Sequence, residues 1–233
     1  MVLISHRYKF IFLKTKKTGG TSIDAFFEKF CIPEEDEKYF KIKHASNIKI
    51  SDAGIVGSRF RGGKATDNWR NHKPACIVQQ QLGKEKFDEY YKFTIVRNPF
   101  DKAVSIYHYQ SGFKEGTFIQ WVRKNMLERL SSPNRGKHSI DWYIYTLDDS
   151  PICDHYLKFE NLYSDIEELC KTLNITNYNM QQFPHFKRSK TRPHYSTFYK
   201  ENGELAQDVI DHVAKFYQKE ISYFDYKFEQ DHN

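Results

Sequence analysis

Six consecutive residues, Lys17-Thr18-Gly19-Gly20-Thr21-Ser22, combine a cation, two glycines and three hydroxyl side chains. The chemistry this combination suits is holding a phosphate. A helix N-terminus leaves backbone N–H groups unpaired and carries partial positive charge, and an anion placed there meets both. Gly19 and Gly20 allow close backbone approach because no Cβ intervenes. Thr21 and Ser22 add hydroxyl donors, Lys17 adds a full charge, and Lys14 and Lys16 lie just upstream. The order of residues is informative. The common phosphate loop of nucleotide hydrolases reads G-x-x-x-x-G-K-[ST], with lysine after the last glycine. Here the lysine precedes the glycines, so an ordinary ATPase or GTPase is disfavoured.

A second constellation runs from Arg97 to Ser105. Arginine can hold a phosphate through two parallel hydrogen bonds, and Ser105, eight residues on, is about two helical turns away. Taken alone, Arg97 reads as an arginine before a helix, paired with Asp101. Further basic residues cluster at Lys187, Arg188, Lys190 and Arg192, a clamp for a phosphate or an acidic sugar, or a solvated loop. Arg59, Arg61, Lys64, Arg70 and Lys73 form another group, a patch facing an acceptor or, the safer reading, a mobile solvated loop. The four cysteines contain no C-x-x-C pair, so neither a zinc ribbon nor a redox dithiol is suggested. Ten histidines are present without an H-x-x-x-H spacing, and no metal site is expected.

The elements that must position these residues follow from periodicity. Tyr8 to Leu13 reads as a buried strand. Thr21 to Phe30 has Ile23, Phe26, Phe27 and Phe30 at helical spacing. Lys92 to Val96 predicts a second buried strand, with Asn98 as N-cap and Pro99 opening a helix. Both phosphate-binding candidates therefore follow a strand, where ligands bind in open α/β sheets. Gly54 to Lys73 predicts a long mobile surface segment, and Ala75 to Tyr91 predicts helix in pieces. Helix is also expected over 115–130. Tyr156 to Phe159 predicts a strand, and Ser164 with Glu167 has the spacing of a capping box. Glu204 to Phe224 predicts one long amphipathic helix. Alternating strands and helices imply an α/β fold, a central parallel sheet flanked by helices, in a single domain over 1–233.

Bulk properties narrow the class. The 233 residues carry 36 basic and 30 acidic side chains, and the net charge of +6 suits a small anionic ligand better than it argues for nucleic acid. With 19 Phe and 16 Tyr a packed core is expected. No signal peptide and no run of roughly 20 apolar residues is visible. The expected setting is cytoplasmic, short of an anchor trimmed from this sequence.

Strand, Lys-Thr-Gly-Gly-Thr-Ser, helix, then strand and Arg-Asn-Pro-x-x-Lys with serine eight after the arginine, resembles the sulfotransferases that use 3′-phosphoadenosine 5′-phosphosulfate (PAPS). The likeness is to the carbohydrate-type branch, which includes the polysaccharide O-sulfotransferases. Tyr90 to Pro99, Leu157 to Leu162, and Pro184 to Tyr199 extend it over most of the chain. Residues 31–70 contribute little, and Phe186 and Arg188 depart from the small polar residues expected there. The resemblance implies a P-loop-NTPase-like sulfotransferase fold and a sulfuryl transfer from PAPS to a hydroxyl, with a carbohydrate acceptor and no metal. It implies that Lys17, Thr18, Gly19, Gly20, Thr21 and Ser22 hold the 5′-phosphosulfate, with Lys17 serving the leaving group. Arg97 and Ser105 would hold the 3′-phosphate, and Arg188, Ser189 and Lys190 would close over the nucleotide. It singles out His72 as general base, in Asn71-His72-Lys73-Pro74-Ala75, with His44 in a His-Ala-Ser string as the rival. The competing classes are a Mg-dependent phosphoryl transferase and a non-catalytic module binding acidic glycans.

Overall fold

A computed structural model gives the structure of the chain. It describes residues 1–37, 48–58, 69–110, 112–130, 141–184, 186 and 192–230, with 126–130 described by backbone alone. In chain order the elements are β1 (Leu3–Ser5), β2 (Phe10–Leu13), α1 (Gly20–Phe27), α2 (Glu34–Glu37), β3 (Lys49–Ser51), β4 (Gly54–Val56), α3 (Ala75–Leu82), α4 (Lys84–Glu89), β5 (Tyr91–Val96), α5 (Pro99–Tyr109) and α6 (Phe118–Leu130). There follow β6 (Thr146–Leu147), β7 (Ser150–Pro151), β8 (His155–Lys158), α7 (Leu162–Thr172), β9 (Lys200–Glu201), β10 (Glu204–Leu205), α8 (Gln207–Phe216) and α9 (Gln218–Phe224). The chain divides into two compact units, Met1–Val96 with Tyr143–Arg188, and Arg97–Trp142 with Ser189–Asn233.

The first unit contains a six-stranded sheet in the order β3-β4-β1-β2-β5-β8. β2, β5 and β8 pair in parallel, as expected. β1 runs against both β2 and β4, and β3 against β4, so the sheet is mixed. The expected central parallel sheet is thus present as β2, β5 and β8, and β1, β3 and β4 extend it with antiparallel pairings that were not expected. The reason lies in chain length: only His6 to Lys9 separate β1 from β2, far fewer than the dozen or more residues a parallel crossover needs.

The core explains the richness in phenylalanine. Phe10 and Phe12 share one face of β2, and Phe12 stands opposite Phe93 of β5 in the parallel register. The Phe12 and Phe93 rings stack at 5.0 Å between centroids, and Phe27 of α1 tilts onto Phe93 at 5.1 Å. All of β2 is buried, which is why it reads as a continuous apolar run.

Three further expectations need correction. Gly54 to Val56, expected in a surface segment, is the buried strand β4. The backbone passes too close there for a side chain: a Cβ on Gly57 would lie 2.1 Å from the Trp69 carbonyl oxygen. Helix α7 starts at Leu162, so Ser164 lies inside its first turn, where its hydroxyl donates to the Asn161 carbonyl at 2.9 Å instead of capping. The expected tail helix is two helices preceded by the β9–β10 hairpin. It breaks where Tyr217 leaves helical geometry and buries its ring, over which the Lys102 ammonium sits at 5.5 Å.

The second unit is built on helices. Asn98 caps α5 as expected, its Oδ1 accepting from the Phe100 amide at 3.0 Å, with Pro99 in the first turn. Phe100, Val104, Val122, Tyr199, Val209 and Val213 belong to one buried cluster. Lys102 and Asp141 pair at 2.6 Å within this unit, both nearly inaccessible. Glu220 of α9 is buried near them, and burial pushes its carboxyl up to about 7 against the pull of Lys102. Between the ordinary carboxylate range and about pH 7, the folded chain then holds a proton that the unfolded chain has lost. That contribution is present at acid pH and disappears as pH rises through about 7. Thermal melts should show wild type losing stability across this window. Glu220→Gln should remove most of that slope, on the order of a few kcal/mol at its alkaline end. Identical pH profiles for the two proteins would show that Glu220 does not titrate there.

Candidate active site

The loop between β2 and α1 is held from below by buried polar contacts. Lys14 is buried, and its ammonium pairs with the fully buried Asp24 of α1. The Thr15 hydroxyl donates to the Ile95 carbonyl, and a second bond links it to the Thr18 hydroxyl at 2.8 Å. A hydroxyl has one proton. Thr15 gives its proton to the carbonyl, so Thr18 is the donor in the Thr15–Thr18 bond. The Thr94 hydroxyl completes the tether, donating to the Leu13 carbonyl at 2.6 Å. These bonds lock the start of the loop to the end of β5.

Above them the backbone turns sharply. Lys17 has φ 59° and Gly19 φ 77°, both in the left-handed region. The Gly19 carbonyl accepts from the Ser22 amide at 2.9 Å as α1 begins. Lys17, Gly19 and Thr21 are partly exposed, whereas Thr18, Gly20 and Ser22 are buried. Thr18 is thus a strut of the loop, and the Ser22 hydroxyl accepts from the Phe186 amide at 3.1 Å. Lys16 turns onto Tyr143, its ammonium 2.9 Å from the phenol oxygen and 5.2 Å from the ring centre. Tyr143 had no distinguishing sequence signal.

The structure brings His72 to this loop. Its Nδ1 lies 3.0 Å from the Lys14 carbonyl oxygen. A carbonyl can only accept, so Nδ1 carries the proton and the neutral ring keeps its lone pair on Nε2. The segment is anchored on both sides. Ser58 donates its amide to the Trp69 carbonyl at 2.9 Å and bridges to Arg70, while Pro74 opens α3. His72 itself has φ 59°, a left-handed conformation uncommon outside glycine and asparagine. The rival His44 lies outside the described residues.

In the second unit Arg97 is 9 % exposed and lies against Asp101. Its Nε and Nη2 donate to Asp101 Oδ2 at 2.8 and 2.6 Å. The other carboxylate oxygen, Oδ1, accepts from Arg192. Ser105 is partly buried one turn beyond Asp101, on the same face of α5. Arg188, Ser189 and Lys190 lie outside the described residues. Arg192 was visible in the sequence only as part of a basic cluster. His194 caps the short helical turn at Tyr195 through its ring, and Tyr195 and Tyr199 are buried.

Other features carry less. A shallow cleft of about 280 Å³, lined by Lys9, Asp88, Lys92 and Asp154 among others, lies at the starts of β5 and β8, away from the loop. Among the described residues, no group of three or more His, Cys, Asp or Glu is arranged to hold a metal ion, and no helix is long and apolar enough to cross a membrane.

A family model described as "Sulfotransferase family" matches residues 1–227. The chain is also 28 % identical over 106 residues to an uncharacterized protein of Archaeoglobus fulgidus, a match covering 44 % of this chain and 82 % of that protein. No solved structure matches.

The loop geometry makes a prediction at Gly19. A Cβ there would take a left-handed residue and sit 3.1 Å from the Phe159 ring. Gly19→Ala should lower stability by about 1–2 kcal/mol in urea unfolding. Unchanged stability would mean that the loop does not need this turn.

Proposed function

Because the chain belongs to the sulfotransferase family, we propose that it moves a sulfuryl group from PAPS to a hydroxyl of a carbohydrate acceptor, with His72 as general base. We read residues 1–233 as one sulfotransferase domain of P-loop-like architecture, extending the family match over 1–227. The observation that carries the reading is the bond between His72 Nδ1 and the Lys14 carbonyl. It sets a histidine, protonated at Nδ1 in the neutral form, beside a loop suited to an anion.

The reaction sets three demands. The acceptor oxygen must lose a proton as it bonds to sulfur, and Nε2 of His72 takes it. The bond from sulfur to the bridging phosphate oxygen breaks, and the negative charge arriving on that oxygen must be stabilised. Lys17, with the amides at the start of α1, supplies that stabilisation. Donor and acceptor must also be held in line. Lys17 to Ser22 hold the 5′-phosphosulfate, Thr18 and Ser22 by shaping the loop from within. Arg97 and Ser105 hold the 3′-phosphate, and Arg188, Ser189 and Lys190 close over the nucleotide. No step calls on a metal ion.

Incubation with PAPS and a panel of glycans should release 3′-phosphoadenosine 5′-phosphate (PAP) and a sulfated product. His72→Ala should abolish turnover with PAP affinity nearly intact. Lys17→Ala and Arg97→Ala should each weaken PAP binding by at least about 1 kcal/mol, since each removes a charge-assisted contact. Full activity in His72→Ala with none in His44→Ala would transfer the base to His44. Calorimetry showing no PAP binding, with Mg-dependent ATP binding in its place, would favour a phosphoryl transferase. Glycan binding indifferent to PAP, without turnover, would favour a binding module.

A further inference from the structure

We propose that Asp101 is a positioning residue that clips Arg97 and Arg192 into one two-guanidinium clamp for the donor's 3′-phosphate. The inference rests on the reading of the donor as PAPS; it adds Asp101 and gives Arg192 of the basic cluster a defined place. Its basis is the way a single carboxylate is shared. Oδ2 of Asp101 takes Nε and Nη2 of Arg97, at 2.8 and 2.6 Å, while Oδ1 takes Nη2 of Arg192, ninety-one residues away in sequence. Each oxygen holds a different guanidinium. Asp101 and Arg192 are 14 % and 23 % exposed and Arg97 is 8 % exposed at its side chain, so the contacts are largely shielded from water.

Two guanidiniums and one carboxylate leave these three side chains at net +1. Two arginines converging without a shared carboxylate would repel each other and spread over many rotamers. Asp101 removes the repulsion and fixes both planes. It uses two of the five N–H donors of Arg97 and one of the five of Arg192. A fork of fixed guanidiniums is the arrangement that recognises a tetrahedral dianion, and Ser105 projects from the same face of α5 one turn further on.

A positioning role and a merely electrostatic one predict opposite signs. Were Asp101 only a negative charge near the phosphate, Asp101→Asn would tighten binding. If it orients the arginines, Asp101→Asn loosens binding although it removes a repulsive charge.

The test compares PAP with adenosine 5′-phosphate, which lacks the 3′-phosphate, by calorimetry at fixed ionic strength. Wild type should prefer PAP. Asp101→Asn and Arg192→Ala should each cut that preference by about tenfold or more, with affinity for adenosine 5′-phosphate held. Asp101→Glu should restore part of it. The double variant should lose little more than either single one, because both break the same contact. Tighter PAP binding in Asp101→Asn, or an unchanged preference in both single variants, overturns the proposal and leaves the PAPS reading standing. A wild type with no preference for PAP removes the 3′-phosphate reading and the proposal with it. Should Asp101→Asn not fold, Arg192→Ala and Arg192→Lys decide the matter at the partly exposed end of the clip. There, Lys keeps the charge but loses the fork, and preference retained by both variants overturns the proposal.

Discussion

Lys14 is the residue on which the rest of the first unit's site depends. Its side chain and its backbone do different things. The ammonium is buried against Asp24 and so ties the end of β2 to the body of α1. The carbonyl receives Nδ1 of His72 and so decides which nitrogen of that ring holds a lone pair. Breaking a buried ion pair by removing one partner leaves an unpaired charge, at a cost of about 3–5 kcal/mol. The loop above Lys14 can therefore keep two left-handed residues, Lys17 and Gly19, because the strand and helix on either side are pinned.

The second unit shows the same economy with charge. Lys102 and Asp141 are buried together, and burial suppresses the ionisation of Glu220 beside them, against the pull of Lys102. Arg97 and Arg192 share Asp101. In both places a basic residue on or just before α5 meets a carboxylate, but the outcomes differ. Lys102 is held in a buried pair with Asp141, whereas Arg97 and Arg192 share one carboxylate whose Arg192 end is partly exposed. Adjacent residues on one helix thus divide into a structural pair and a binding candidate according to the face they occupy.

The candidate loop was legible because its signal is local. A lysine, two glycines and hydroxyls between a strand and a helix need no distant partner to be recognised, and Asn98-Pro99 likewise marked the start of α5. β1 and β4 were not legible. Each is three residues long, too short for periodicity, and each exists through its neighbours in the sheet. The tail helix misled for a related reason: its apolar spacing continues past Tyr217, where the backbone, at φ −108° and ψ 26°, interrupts the helix. Ser164 had the right spacing for a cap, yet the start of a helix depends on the chain leading into it, here from β8.

Sequence alone determined the kinds of chemistry available: a loop suited to an anion with its lysine before the glycines, an arginine after a strand, and several histidines competing to be a base. These are properties of residue type and spacing over short distances. Tertiary structure decided how those groups are disposed. It made Thr18 a strut and turned Lys16 onto Tyr143. It also set His72 against the carbonyl of Lys14, fifty-eight residues away, and joined Arg97 to Arg192 through Asp101. Hydrogen-bond direction, tautomer and shared charge arise from contacts between distant segments, and no local pattern encodes them.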